Sequence, residues 1–189
     1  MSELDTLAAR IRVCTDCALS KTRTNAVPGE GPESPEIMFI GEGPGFHEDR
    51  QGRPFIGPAG KYLAELLASI GMRREQVYIA NVVKCRPPGN RDPLPGEIQS
   101  CRKYLDRQIE LLKPKVIVTL GRFSLTQFFP AETISRAHGK LHFWNSIMVF
   151  PMYHPAAALH QGNMRTYIEE DFRLLPETLL KTNLVLPPI

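Results

Sequence analysis

Cysteine occurs as the pair Cys14-x-x-Cys17 and again, far along the chain, at Cys85 and Cys101. Free cysteines are often simple core thiols, but these lie in polar or proline-rich surroundings. The pair brackets Thr15-Asp16 ahead of "SKTRT", and Cys85 opens the loop "CRPPGN". Disulfides do not persist in the cytosol, so four thiolates with no remainder read as a metal-ligating set. Thiolates in that number suit either zinc or an iron–sulfur cluster. Zinc sites usually draw on two close pairs, whereas fifteen residues separate Cys85 from Cys101. Spacing leaves both open. In either case the metal ties the N-terminal segment to the loop that follows the second predicted strand.

A second candidate is the turn "GEGPG", Gly41 to Gly45, at the end of an apolar run. A dinucleotide loop needs a third glycine where this chain has Phe46. Pro44 has no N–H to offer an anion, and Glu42, Glu48 and Asp49 repel phosphate. No Lys-Ser or Lys-Thr follows for a P-loop. The turn is therefore expected to hold something neutral.

These residues need elements to position them. Four apolar, β-branched runs predict buried parallel strands over 36–41, 77–83, 115–121 and 146–153. Helical patterns fall between them: from Pro58 to Gly71, from Pro95 to just before Pro114, a short one over 122–129, and a long terminal one over 163–181. The alternation predicts an α/β fold, a three-layer α/β/α sandwich on a four-stranded parallel sheet, in a single domain over 1–189. Ligands in such sheets bind beyond the carboxyl ends of the strands. Gly41–Gly45, Asn81 and His154 all fall at those ends.

Composition narrows the classes. The chain has 189 residues, 42% hydrophobic content and a net charge of +3, enough for one filled core and compatible with a nucleic-acid partner. No apolar run approaches a membrane span and no signal-peptide core is evident, so a cytoplasmic monomer with no membrane partner is expected.

Taken together, "CTDCALSKTR", "GEGPG…EDRQGRPFIGPAGKYL", "YIANVVKCRPPGNRDPLPGE", "VTLGRFS" and "YHPAAAL" resemble the family 4, iron–sulfur branch of the uracil-DNA glycosylase superfamily. The motifs run in family order along nearly the whole chain. The resemblance implies a DNA-repair hydrolase that releases free uracil from single- or double-stranded DNA and leaves an abasic site. It also implies a [4Fe–4S] cluster on Cys14, Cys17, Cys85 and Cys101.

Chemistry gives each matched position a role under that resemblance. A base acted on in DNA must leave the stack, at a cost of roughly a few kcal/mol. Phe55 would return some of that by stacking, although an aromatic here could equally be core. Flipped uracil presents O4 as acceptor and N3–H as donor, and the Asn81 carboxamide offers the complementary pair. Cytosine reverses the pattern. Local backbone bonding is the plainer role for a strand-end Asn. His154 is placed to donate to O2 as negative charge collects there, and the small residues Gly41, Gly43 and Gly45 allow close approach. Glu48 is the candidate for filling the space that a thymine methyl needs.

The chain departs from the better-known branches at Gly43, where those have a water-positioning Asp. Glu42 or Glu48 then takes that part, or an oxocarbenium ion is captured by ordinary water. Family members also tend to be acidic where this chain has Phe46 and His47. For DNA contact, Arg86, Arg136, His138 and Lys140 are candidates, with Leu159 as a wedge for the vacated stack; each of these could instead be an ordinary solvated or packed side chain. A module that binds DNA without turnover is the competing reading, kept open by Gly43.

Overall fold

A computed structural model describes residues 2–181. Its centre is a five-stranded sheet in the order β2-β1-β3-β5-β4. These are β1 (Ile37–Gly41), β2 (Tyr78–Asn81), β3 (Val116–Leu120), β4 (His142–Trp144) and β5 (Ile147–Met152). β2, β1, β3 and β5 run parallel, as the four apolar runs predict. The fifth strand corrects the four-strand expectation. β4 pairs antiparallel with β5 at the sheet edge, across a two-residue loop, Asn145-Ser146, in which both φ are positive (47° and 67°). That is the geometry hairpin twist favours. With only three residues, β4 is too short to show an alternation pattern.

The helices are α1 (Glu3–Val13), α2 (Phe46–Gln51), α3 (Pro58–Ser69), α4 (Pro95–Leu112), α5 (Arg122–Leu125), α6 (Ile134–Ala137), α7 (Ala156–His160) and α8 (Gly162–Lys181). Alternate side chains of β1 go to opposite faces. Met38 and Ile40 pack with Leu7 and Ile11 of α1 and Leu105 and Ile109 of α4. Ile37 and Phe39 pack with Leu63 and Leu67 of α3 and Phe172 of α8, with the Phe39 and Phe172 rings stacked at 6.1 Å. β1, β2 and β3 are buried along their whole length, as strands covered on both faces must be.

α1 has no counterpart among the predicted helices. It starts on a reciprocal cap: Ser2 Oγ accepts from Asp5 N–H (3.1 Å) while Asp5 returns to Ser2 N–H (3.0 Å). No helix among the described residues is long and apolar enough to cross a membrane.

Candidate active site

The carboxyl ends of β1, β2 and β5 open on a cleft of about 400 Å³. Glu42, Gly43, Gly45, Glu48, Phe55, Asn81, His154 and Leu159 all line it. Gly41 stands behind them: a Cβ there would lie 2.5 Å from Asn81 Oδ1 and 2.6 Å from the Phe55 ring. Only glycine lets amide and ring approach this closely across the strand end.

Phe55 is buried and has φ 50°, a conformation that costs a non-glycine residue about 1–3 kcal/mol. An arginine clamp, braced by a carboxylate, and a close-lying glycine accommodate it there. Arg74 donates from Nη1 to the Phe55 carbonyl (2.5 Å) and from Nη2 to that of Pro54. Glu30 takes Arg53 in a fork (2.7 Å each) and reaches Arg74 at 3.6 Å. Gly60 admits the Phe55 backbone at the start of α3, where a Cβ would sit 1.9 Å from its carbonyl oxygen. The ring lies 5.5 Å from that of His154, inclined by 28°. No local pattern announces Arg74, Glu30 or Arg53, because their partners are distant in sequence.

Asn81 is 1% exposed, and its Oδ1 has no hydrogen-bond partner. Its backbone is better served: Lys84, fully buried, donates from Nζ to the Asn81 carbonyl (2.7 Å) and to Gln108 Oε1 (2.6 Å). Gln108 passes the network on to the Pro28 carbonyl (2.7 Å) and Tyr78 Oη (3.2 Å).

His154 accepts at Nδ1 from the N–H of Ala156 (3.1 Å). A neutral ring that accepts at Nδ1 carries its proton on Nε2. Burial pushes its pKa down to about 4, against a smaller upward pull from Glu48, so the ring is neutral at physiological pH.

The two carboxylates differ. Glu48 Oε1 accepts from the N–H groups of Ile56 (2.9 Å) and Gly57 (2.8 Å), which fixes the turn leading from Phe55 into α3. Glu42 is pushed up to about 7, first by burial and then by Asp92, with Arg122 opposing. Asp49 is buried and accepts from the N–H groups of Thr24 (2.8 Å) and Asn25 (3.3 Å), a structural task.

The basic residues scatter. Arg86 lies over the ring of Phe46 at the mouth, 5.3 Å from its centroid. Arg86 does not itself line the cleft, its Nε donating to Asn90 Oδ1 (2.6 Å), and Arg136, His138 and Lys140 are not among the lining residues either. His138 Nδ1 is tied to buried Asp171 (2.9 Å), and Lys140 bonds the Arg136 carbonyl (2.9 Å).

All four cysteines face one further small cavity, together with Ile11, Arg23, Lys84 and Tyr104; Cys85 and Cys101 are buried, Cys14 and Cys17 partly so. Cys85 Sγ accepts from Arg23 (2.9 Å) and Cys101 Sγ from the Lys84 N–H (3.3 Å). Burial raises the Cys101 thiol to about 11 and Cys85 also upward, which favours the protonated thiols in the absence of a bound cation. Among the described residues, no three His, Cys, Asp or Glu side chains meet the geometry for a single metal ion.

A neutral imidazole, a buried amide with an unpartnered oxygen and an aromatic ring thus face one cleft at the strand ends of an α/β sheet. The family model of the uracil DNA glycosylase superfamily matches residues 28–175, and the chain belongs to that family. Within it the chain sides with the type-4 enzymes. It is 51% identical to the type-4 uracil-DNA glycosylase of Saccharolobus solfataricus, over 95% of this chain and 88% of that protein. It is 50% identical to that of Archaeoglobus fulgidus over 94% of both, and 44% identical to that of Thermotoga maritima over 89% of this chain and 90% of the relative.

Proposed function

We propose that this protein hydrolyses the N-glycosidic bond of deoxyuridine in DNA, releasing uracil and leaving an abasic site. The observation that carries the reading is the unpartnered Oδ1 of Asn81 in the cleft. A buried polar atom without a partner costs about 1–3 kcal/mol. The N3–H of uracil answers it, with O4 facing the amide nitrogen of the same side chain. Cytosine puts an acceptor at N3 and leaves that cost in place.

Stacking on Phe55 would replace part of the stacking lost on extrusion. As the N1–C1′ bond breaks, its electrons pass into the ring and collect largely on O2. His154 supports this step as a neutral donor from Nε2, oriented in advance by Ala156. Preorganised donors of this kind are worth roughly 10²–10³ in rate. The sugar acquires oxocarbenium character. Glu42, with its pKa near neutrality, stabilises that cation or takes a proton from the attacking water. Glu48 has an oxygen already committed to two backbone N–H groups, which suits a fixed wall against the thymine methyl better than a base. Leu159, half exposed at the rim, serves as the wedge.

The four thiols around one cavity support a [4Fe–4S] cluster held by Cys14, Cys17, Cys85 and Cys101. Through these residues the segment after α1, the loop after β2 and α4 would be tied together when the cluster is bound. Arg23 and the Lys84 N–H would donate to its sulfur ligands.

Treating a uracil-containing oligonucleotide with the protein and then with alkali tests the function. Strand scission at uracil, and none at cytosine or thymine in the same sequence, is expected. Binding without scission overturns it in favour of a non-catalytic module.

A further inference from the structure

Phe46 stands at the mouth of the cleft, on the first turn of α2, and is 50% exposed. It belongs to neither hydrophobic cluster of the core. Its ring meets His47 edge-on at 5.5 Å. Two guanidiniums attend it, Arg86 at 5.3 Å and Arg50 at 5.9 Å from the centroid. Neither arginine is in an ion pair with an acidic side chain among the described residues. An aromatic face beside uncompensated positive charge is what single-stranded nucleic acid uses: bases stack on the ring while cations follow the phosphates.

The inner wall of the cleft, Phe55, Asn81 and His154, is accounted for by one extruded base. Phe46 lies on the same cleft but outside that set. Its position suits the nucleotide joined to the extruded one, whose base must also lose a stacking neighbour when the uridine leaves.

We propose that Phe46 forms a second, sequence-tolerant base subsite, stacking the nucleobase immediately next to the extruded deoxyuridine on the same strand, with Arg50 and Arg86 toward its phosphates. This rests on the glycosylase reading for the identity of the inner base. It makes Phe46 a binding residue for flanking DNA, distinct from the wedge, which acts only on a duplex.

The test is a double-mutant cycle in single-stranded DNA. Each oligonucleotide carries one 2′-fluoro-deoxyuridine, which binds without being cleaved, flanked on either side by thymidine or by a base-less tetrahydrofuran residue. Affinities are measured for the unaltered protein, Phe46→Ala and Phe46→Trp, each checked by thermal melting. Removing the neighbouring base on one side should weaken binding to the unaltered protein by about 5- to 150-fold, the range for one stacked base. In Phe46→Ala that penalty should collapse to within about twofold, and in Phe46→Trp it should persist. If the penalty is absent in the unaltered protein, or survives in Phe46→Ala, the subsite is overturned. Parallel cleavage of the ordinary deoxyuridine oligonucleotide separates the two readings. No uracil release from any substrate defeats the glycosylase assignment, whereas release without the coupling defeats only the Phe46 subsite.

Discussion

The strand-end cleft and the cysteine cavity sit on either side of one short segment, Asn81 to Cys85, yet they are built on opposite principles. In the cleft, polar groups are left short of partners: Asn81 Oδ1 has none, and Glu42 is half-buried with its charge disfavoured. Around the cysteines, donors are already in place, from Arg23 to Cys85 and from the Lys84 backbone to Cys101. Unsatisfied groups store interactions for a substrate, and satisfied ones hold a shape. Changes in the cleft should therefore alter rate and selectivity with little loss of stability. Changes on the cysteine side should do the reverse.

The largest effect is expected at His154. His154→Ala removes the only side-chain donor assigned to the leaving oxygen, and single-turnover release should fall by about 10²–10³. Melting should fall far less than the rate, because among the described residues the Ala156 N–H is the one hydrogen-bonding partner lost, together with the ring contact to Phe55. A fall in stability that tracks the fall in rate would erase the contrast between the two regions.

Glu42→Gln follows, with a loss of about a hundredfold at neutral pH, the lower end for proton-transfer catalysis. In the unaltered protein the rate should rise with pH and level off above about 7 as Glu42 ionises; the variant should lack that limb. Stability runs the other way. The folded state keeps the Glu42 proton to a higher pH than the unfolded chain, so the native advantage present at low pH is lost as pH rises through about 7. Glu42→Gln should remove that loss. A rising limb that survives the substitution assigns the base to another group.

Asn81→Ala should cost about thirtyfold in uracil release, from the two amide hydrogen bonds to N3–H and O4 at about 1 kcal/mol each. Since the orphaned acceptor leaves with the side chain, the folded protein should not lose stability in proportion. Competition between uracil- and cytosine-containing strands reads the selectivity directly, and an unchanged ratio would remove Asn81 from recognition.

What could be read before the structure divides along the same line. Gly41, Asn81 and His154 lie at the ends of runs whose apolar character is local, so their convergence follows from parallel strands alone. The cysteines were legible by count and surroundings. By contrast, the Arg74 clamp on Phe55 joins residues 19 apart, and Lys84 meets Gln108 across 24. Neither leaves a mark at short range. Glu48 reads as a free carboxylate until the fold brings the Ile56 and Gly57 N–H groups to it. His138 likewise reads as a surface base until Asp171, 33 residues on, is found against it. The edge strand β4 was hidden by its length, and its turn Asn145-Ser146 lacks the glycine that marks a tight hairpin in sequence.

Lys84 joins the two regions and gives the smallest but most discriminating effect on catalysis. Its ammonium group supports the Asn81 carbonyl behind the cleft, while its own N–H reaches Cys101 beside the cavity. Lys84→Met keeps the stem and the backbone N–H but strands Gln108 Oε1 and the Asn81 carbonyl in a dry interior. Each buried acceptor left without a donor costs about 1–3 kcal/mol, so unfolding in urea should shift by that order. If Lys84 only holds shape, uracil release measured well below the melting transition should fall no more than severalfold. If the carbonyl support sets the aim of the amide, the uracil-to-cytosine ratio should drop together with the rate. A loss of selectivity in Lys84→Met would show that the saturated side of the molecule positions the unsaturated one; an unchanged ratio would show two neighbours that share a loop and nothing more.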